Sequence, residues 1–364
     1  MKVTLVIGSR ANWGRSRTIA LAAMKEDDVE LDLVLMGSAL DEEFGSTAHD
    51  VKSDGLTGYK EIPLPRVNNR HKEQALATAV ALERLTEHFD RSQPDFVITI
   101  ADRFETMATA IAATYSNIKL VHVQGGEISG NIDDRVRNAI SMLADIHFPS
   151  TELAADRLKS MVKNESQIFM LGCPAMDTLR LLDQTKSKSF VDRYFKSSFR
   201  RKVCICVHPN TEDLTESEHI FSEILKLIEE KQSYGFIVLK PNIDAGNLLL
   251  RSQIVALTEK ENSVVINGLS PLDYAKVLQG SDLLLGNSSS FIRESAFLGK
   301  PSIILGGRQQ GRDLTENVIV LEDVTKLPGM FEEWCEKHYV GDDVYGDGFA
   351  GEKILKKLIQ KANV

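Results

Sequence analysis

The stretch LLLGNSSSFIRESAFLGKPSIILGGRQQGR, residues 283–312, decides the fold. Leu283, Leu284 and Leu285 form an apolar run of buried-strand length, and Gly286, Asn287, Ser288, Ser289 and Ser290 follow without a spacer. Phe291 to Leu298 predicts a helix that Gly299 stops at its C′ position, and Pro301 to Leu305 returns as a second strand. A strand that ends in small polar residues and opens a helix offers an anion free backbone N–H groups at the positive end of a dipole. Serine hydroxyls add donors without bulk. Glu294, one turn inside the helix, would repel a phosphate and suits a pair of sugar hydroxyls, which need acceptors. Gly306 to Arg312 then end the second strand with two guanidinium groups, Arg308 and Arg312, the side chains shaped to fork a phosphate. Together these features predict a pocket for a nucleoside diphosphate and its ribose. The blander alternative is a strand, turn and helix whose serines merely cap it.

Outward from that stretch, the chain alternates strand and helix, which implies parallel sheets with ligands at the carboxyl ends of the strands. Lys2 to Gly8 predicts a first strand, with Ser9 to Gly14 as a loop carrying Arg10 before a helix from about Arg15 to Lys25. The spacing of that loop is not GxGxxG, so it signals only a strand end with a guanidinium in it. Leu31 to Met36, Phe96 to Ile100 and Leu120 to Val123 follow as strands, and the ends of the last two deliver Asp102, Arg103, Gln124 and Glu127. Asp133, Asp134 and Arg137 open the next helix, with Ile132, Val136 and Ile140 at four-residue steps on its expected buried side and Asp133 one turn from Arg137. A helical ion pair beside a dipole-satisfying acidic pair is the structural alternative there. The polar run Asp183 to Ser189 reads as a linker. A second series starts at Lys202 to Val207, ending in His208 and Pro209, and continues through Phe236 to Leu239, ending in Asn242, and Ser263 to Ile266. A helix from Glu352 to Lys361 closes the chain.

At 364 residues the chain exceeds one ordinary core, and two α/β domains are expected: residues 1–182 on the sugar side and 183–350 on the nucleotide side, followed by 351–364. A net charge of -9 argues against nucleic acid or an anionic membrane as partner, so an anionic substrate must be met by local arginines. No apolar run has bilayer-spanning length and Met1 leads directly into a strand, which predicts a cytoplasmic protein. Cys173, Cys204, Cys206 and Cys335 show no CxxC spacing, and the eight histidines form no metal-binding pair, so no metal or cofactor is expected.

The runs GNSSSFIRE (286–294), GGRQQGR (306–312), ADRFE (101–105) and HVQGGEISGNIDDRVRNAI (122–140) resemble the hydrolysing UDP-N-acetylglucosamine 2-epimerases, in the branch serving sialic-type (nonulosonic) acid synthesis. The resemblance runs in order over nearly the whole chain. It implies two Rossmann-like parallel-sheet domains of glycosyltransferase B type facing a cleft, residues 351–364 returning to the first domain, and a homodimer or homotetramer. By the same resemblance Asp102, Asp133, Asp134, Arg137 and His208 serve catalysis or its immediate support. Arg10, Arg103, Gln124, Asn242, Leu269, Ser288, Ser289, Glu294 and Arg308 would hold the nucleotide sugar. The chain departs from many relatives in carrying Gln124 where they have a catalytic glutamate and Asn138 where they have a histidine. Gln cannot exchange a proton, so either Glu127 takes that role or acid and base are shared differently.

The implied activity is release of N-acetylmannosamine, or an analogue, and nucleoside diphosphate. Whether the substrate is UDP- or GDP-linked, and whether its sugar is N-acetylglucosamine or a bacillosamine derivative, stays open. A glycosyltransferase of the same fold needs the same nucleotide loop but leaves C2 of the sugar untouched. A non-catalytic nucleotide-sugar binder would have no use for clustered carboxylates.

Overall fold

A computed structural model describes residues 1–44, 47–67, 71–129, 132–196, 198–210, 213–241, 247–258 and 260–363. The chain forms two compact units: Met1–Glu127, Ile132–Thr178 and Tyr345–Val364 in the first, Ile128–Asn131 and Leu179–Val344 in the second.

The first unit is built on β1 (Lys2–Ile7), β2 (Glu30–Met36), β3 (Lys60–Ile62), β4 (Phe96–Ile100), β5 (Lys119–Val123) and β6 (Ile146–Phe148). All pairings are parallel and the order is β3-β2-β1-β4-β5-β6. Successive side chains of a strand point to opposite faces, and here both faces are covered. Val3, Leu5, Ile7, Leu33, Leu35, Phe96 and Ile98 join one core with Trp13, Ile354 and Leu358. Val6, Val34, Met36 and Val97 join the other with Leu85, Phe89, Ala108 and Ile140. Each large side chain so buried stabilises the fold by about 1.5–3 kcal/mol. The final helix, Ala350–Ala362, belongs to this unit, and both oxygens of buried Asp177 accept its first N–H groups, from Ala350 at 2.9 Å and Gly351 at 2.8 Å.

The second unit repeats the plan with β7 (Arg201–Cys206), β8 (Tyr234–Leu239), β9 (Ser263–Ile266), β10 (Leu283–Gly286), β11 (Ser302–Leu305) and β12 (Val318–Leu321). Its order, β12-β11-β10-β7-β8-β9, is the same winding, again parallel throughout. The helix after β10, Ser290–Leu298, ends on Gly299 in the left-handed region at φ 60°, where a Cβ would also sit 2.4 Å from the Tyr339 carbonyl oxygen.

Four local expectations need correction. Ser9–Gly14 is not a loop: Ser9 caps a helix, Arg10–Ala23, its side chain accepting from the Asn12 N–H, and Gly14 lies inside that helix with open space where its Cβ would be. The run expected as a linker is the helix Gln184–Asp192, capped by the Asp183 side chain. Its polar composition reflects a surface helix, for Ser187 and Val191 are the residues it buries. Ile132 is exposed at 41%, whereas Ile140 is buried, so the apolar side of the helix Ile132–Leu143 begins further along than its spacing predicts. Finally, β3, β6 and β12 are strands that sequence reading passed over. They are sheet edges of three or four residues, too short for a period-2 pattern to show.

Candidate active site

In each unit the winding reverses between two neighbouring strands, β1 and β4 in the first and β7 and β10 in the second. The backbone connections leaving those strands diverge, and the crevice at their carboxyl ends is where an open α/β sheet binds ligand. The residues that follow those four strand ends are Arg10, Asp102 and Arg103, His208, and Asn287 to Ser290.

In the first unit the crevice is floored by Asn12. Its Oδ1 accepts the Gly8 N–H at 3.2 Å and its Nδ2 donates to the Ile100 carbonyl at 3.4 Å, joining the ends of β1 and β4. Asp102 follows Ala101, whose φ of 63° lies in the left-handed region. The Asp102 carboxylate is ion-paired with Arg137, whose side chain is 1% exposed. The same guanidinium pairs with Asp134, three residues back on the helix Ile132–Leu143, and donates to the Glu127 carbonyl at 2.6 Å. Burial alone would lower the pKa of Arg137, but the charges of Asp102 and Glu127 outweigh it and the net shift is upward. Arg137 is thus a permanent cation at the centre of the acidic group. Asp134 is a helical partner of Arg137, and Asp133 stands beside it in the same first turn.

Two predicted residues are engaged in ways their spacing did not reveal. Arg103 forks both oxygens of buried Glu105, at 3.1 and 3.3 Å, inside the ADRFE run. Gln124, 1% exposed and at φ 66°, directs its Nε2 to the Cys173 sulfur at 2.9 Å. Arg10 lies in the first turn of the helix after β1, half-buried.

In the second unit Asn287 is the hub. Fully buried, it accepts the His208 N–H on Oδ1 at 2.7 Å and donates from Nδ2 to the His208 carbonyl at 2.8 Å. Its own carbonyl accepts from Arg308 at 3.2 Å and Gln309 at 3.0 Å. One residue thereby ties together the ends of β7, β10 and β11. The preceding Gly286, at φ 144°, would place a Cβ 2.1 Å from the Cys206 carbonyl oxygen, so no other residue permits β7 and β10 to lie this close. Glu216 reinforces the bracket, accepting from Asn210 Nδ2 and the Gly307 N–H, both at 2.8 Å. The His208 Nε2 lies 3.4 Å from the Cys206 sulfur.

The serines divide their roles. Ser288 and Ser290 hydroxyls are 3.0 Å apart, Ser290 is hydrogen-bonded to the Tyr274 phenol, and Ser289 accepts from Arg293 at 2.9 Å. Burial pushes the Tyr274 phenol well above its ordinary pKa, so it stays neutral. Glu294 is 8% exposed and its Oε2 has no hydrogen-bond partner among the described residues. Arg293 Nε stands 3.9 Å from that oxygen, an ion-pair distance that leaves it able to accept a hydrogen bond. Leu269 follows β9, half-buried, and Asn242 lies outside the described residues. Among the described residues no group of three or more His, Cys, Asp or Glu side chains is placed to hold a metal ion. No helix among them is long and apolar enough to cross a membrane. None of the four cysteines is disulfide-bonded, and all are buried.

Asn12, Glu105, Asn287, Gln309 and Glu216 escaped the sequence reading as site residues. For Asn287 and Gln309 the signal was present, since both lie inside the quoted polar loops. Glu216 sits inside a helix, Leu214–Glu230, and carried no such signal.

The sequence model of the UDP-N-acetylglucosamine 2-epimerase family matches residues 22–359. A UDP-N,N'-diacetylbacillosamine 2-epimerase (hydrolyzing) of Legionella pneumophila is 32% identical over 361 residues, covering 98% of this chain and 95% of that one. A GDP/UDP-N,N'-diacetylbacillosamine 2-epimerase (hydrolyzing) of Campylobacter jejuni is 27% identical, covering 93% and 88%. The crystal structure of UDP-GlcNAc 2-epimerase from Neisseria meningitidis bound to UDP-GlcNAc superimposes with a TM-score of 0.80 at 19% identity, over 99% of this chain and all of that one. The Methanocaldococcus jannaschii UDP-GlcNAc 2-epimerase structure gives 0.81 at 19% identity with the same coverage. The two six-stranded parallel units are therefore of the glycosyltransferase B type seen in those epimerases.

Proposed function

Since this chain belongs to the UDP-N-acetylglucosamine 2-epimerase family, we propose that it is a hydrolysing 2-epimerase. It takes a UDP- or GDP-linked 2-acetamido sugar to the free 2-epimer and nucleoside diphosphate. The sugar is N-acetylglucosamine or a derivative such as N,N'-diacetylbacillosamine, the substrate in the names of the Legionella and Campylobacter relatives.

The carbon at C2 of such a sugar bears no carbonyl to acidify its proton. The C2 proton is instead removed as the C1–O bond breaks: a carboxylate takes the proton, the C–H electron pair becomes the C1–C2 double bond of a glycal, and the C1–O pair leaves with the diphosphate. Water then adds at C1 while a proton returns to C2 from the opposite face. The reaction needs a cationic site for the leaving diphosphate, two proton-handling groups and negative charge near the cationic C1. In this reading Arg308, His208, Ser288 and Ser289 of the second unit hold the diphosphate and Glu294 accepts from the ribose, while Arg10 is a binding cation of the first unit. Arg103, held by Glu105, and Leu269 complete the binding set. Asp102, Glu127, Asp133 and Asp134 handle protons and support C1, with Arg137 holding the cluster. Gln124, turned to Cys173, orients the substrate in place of exchanging a proton.

The observation that carries the reading is the gathering of Asp102, Asp134 and Glu127 about one buried guanidinium at a strand-end crevice. A glycosyltransferase or a passive binder shares the nucleotide loop but has no use for that charge density. The test is incubation in heavy water with UDP-N-acetylglucosamine and with UDP- and GDP-linked N,N'-diacetylbacillosamine, followed by NMR. Free nucleoside diphosphate and a 2-epimeric sugar deuterated at C2 are expected from at least one. Release of nucleotide with C2 unlabelled would assign transfer or simple hydrolysis instead.

A further inference from the structure

Behind the Asp102 turn lies a buried imidazole that the chemistry above does not use. His122 on β5 is fully buried; its Nε2 is 2.9 Å from the Ala101 carbonyl oxygen and its Nδ1 is 3.0 Å from the Ser141 hydroxyl. A carbonyl can only accept, so Nε2 carries the proton and Nδ1 accepts from Ser141. Burial pushes the pKa down to about 4, against the pull of the Ala101 carbonyl, and the ring is neutral at physiological pH as this tautomer requires.

The residue so gripped is the one in the left-handed conformation, with φ at 63°, which a residue bearing a Cβ holds only when its surroundings enforce it. Both ends of Ala101 are fastened to β5, its N–H to the Val123 carbonyl at 3.0 Å and its carbonyl to His122. Ser141 stands one helical turn beyond Arg137, so the helix Ile132–Leu143 reaches the turn twice. One contact is direct, Arg137 to Asp102, and the other runs through Ser141 and His122 to Ala101. Gly125 closes over the arrangement: a Cβ there would come 2.8 Å from the Ser141 hydroxyl and 2.9 Å from His122 Nδ1.

We propose that His122 is a positioning residue for the reaction, its Nε2–H holding the Ala101 turn so that the Asp102 carboxylate is aimed at Arg137 and the substrate. This rests on the reading of Asp102 as a group that meets the sugar. Two substitutions separate aim from bulk. In His122→Gln the amide nitrogen stands near the place of Nε2 and can donate to Ala101; in His122→Asn it reaches only the place of Nδ1.

The full-length protein and both variants are compared by steady-state rates, calorimetric binding of UDP and GDP, and crystallography. His122→Asn is expected to lower kcat by about tenfold or more, the scale of a displaced catalytic group, with KM and nucleoside diphosphate binding unchanged. His122→Gln is expected to restore most of the rate. In the crystals Asp102 should have left Arg137 in the Asn variant and kept it in the Gln variant. Equal losses in both variants would make His122 a packing residue, and full activity in both would overturn the proposal. If the wild-type protein turns over no sugar nucleotide, the functional reading fails. The crystals, and nitrogen NMR of the His122 tautomer, still decide the positioning: an Nδ1–H ring or an unmoved Asp102 refutes it.

Discussion

Asp102 and Arg308 occupy different units and have opposite charge, so they separate chemistry from binding at the scale of one side chain. Asp102→Asn keeps the shape of the carboxylate and an oxygen for Arg137, but cannot take a proton or oppose positive charge at C1. The expected result is a fall in kcat of about 10²-fold or more with nucleoside diphosphate affinity retained. Arg308→Ala should weaken binding of free UDP or GDP by about 1.5–3 kcal/mol, read by calorimetry. The reverse pattern would exchange the roles of the two crevices. Both positions were legible in the sequence as residues that follow strand ends, β4 for Asp102 and β11 for Arg308, the edge at which an open α/β sheet presents its ligand groups. His122 and Glu216 were not. Their value comes from partners 21 and 91 residues away, Ala101 and Gly307, and a lone histidine in an apolar strand announces nothing about what it holds.

The elements were legible where composition and period agree, as in Phe96–Ile100, every residue of which is buried, and in the helix stopped by Gly299. They were misread where polar residues sit on an exposed helix, as in Gln184–Asp192, or where a strand is short and on an edge, as in Lys60–Ile62. The ends of β7, β10 and β11 form a unit that no single element explains, because Asn287 carries two side-chain bonds to His208 and its carbonyl takes Arg308 and Gln309. Asn287→Ala removes the first pair and leaves the carbonyl. Loss of about 2 kcal/mol or more of the second unit's stability is expected in urea denaturation, as two backbone groups of His208 lose their partners. The rate should fall further than UDP affinity does, since Arg308 keeps its anchor. An unchanged urea midpoint would show that the bracket contributes nothing to holding His208.

For the whole molecule, two buried imidazoles set a pH dependence that belongs to one unit alone. Burial pushes both His122 and His147 down to about 4, in His147 against the charge of Asp145. Unfolded, each titrates near 6.5, so between about pH 6.5 and 4 the unfolded first unit binds protons that the folded one refuses. Stability contributed by the neutral rings is therefore complete above pH 6.5 and is lost as the pH falls toward 4. The loss reaches about 3 kcal/mol for each ring at roughly 1.4 kcal/mol per pKa unit. Thermal scans should show the first unit's transition moving down through this window, and a scan flat from pH 7 to 4.5 would contradict it. The helix Ala350–Ala362 adds a consequence in time. The second unit is almost wholly one continuous stretch, whereas the first must wait for Ile354 and Leu358 before its core is covered. At about 5–20 residues per second, a ribosome leaves that flank bare for on the order of ten to forty seconds after Thr178 has been made. A chain stopped short of its last helix thus emerges with an apolar scar for chaperones and proteases to find, however well its second unit has folded.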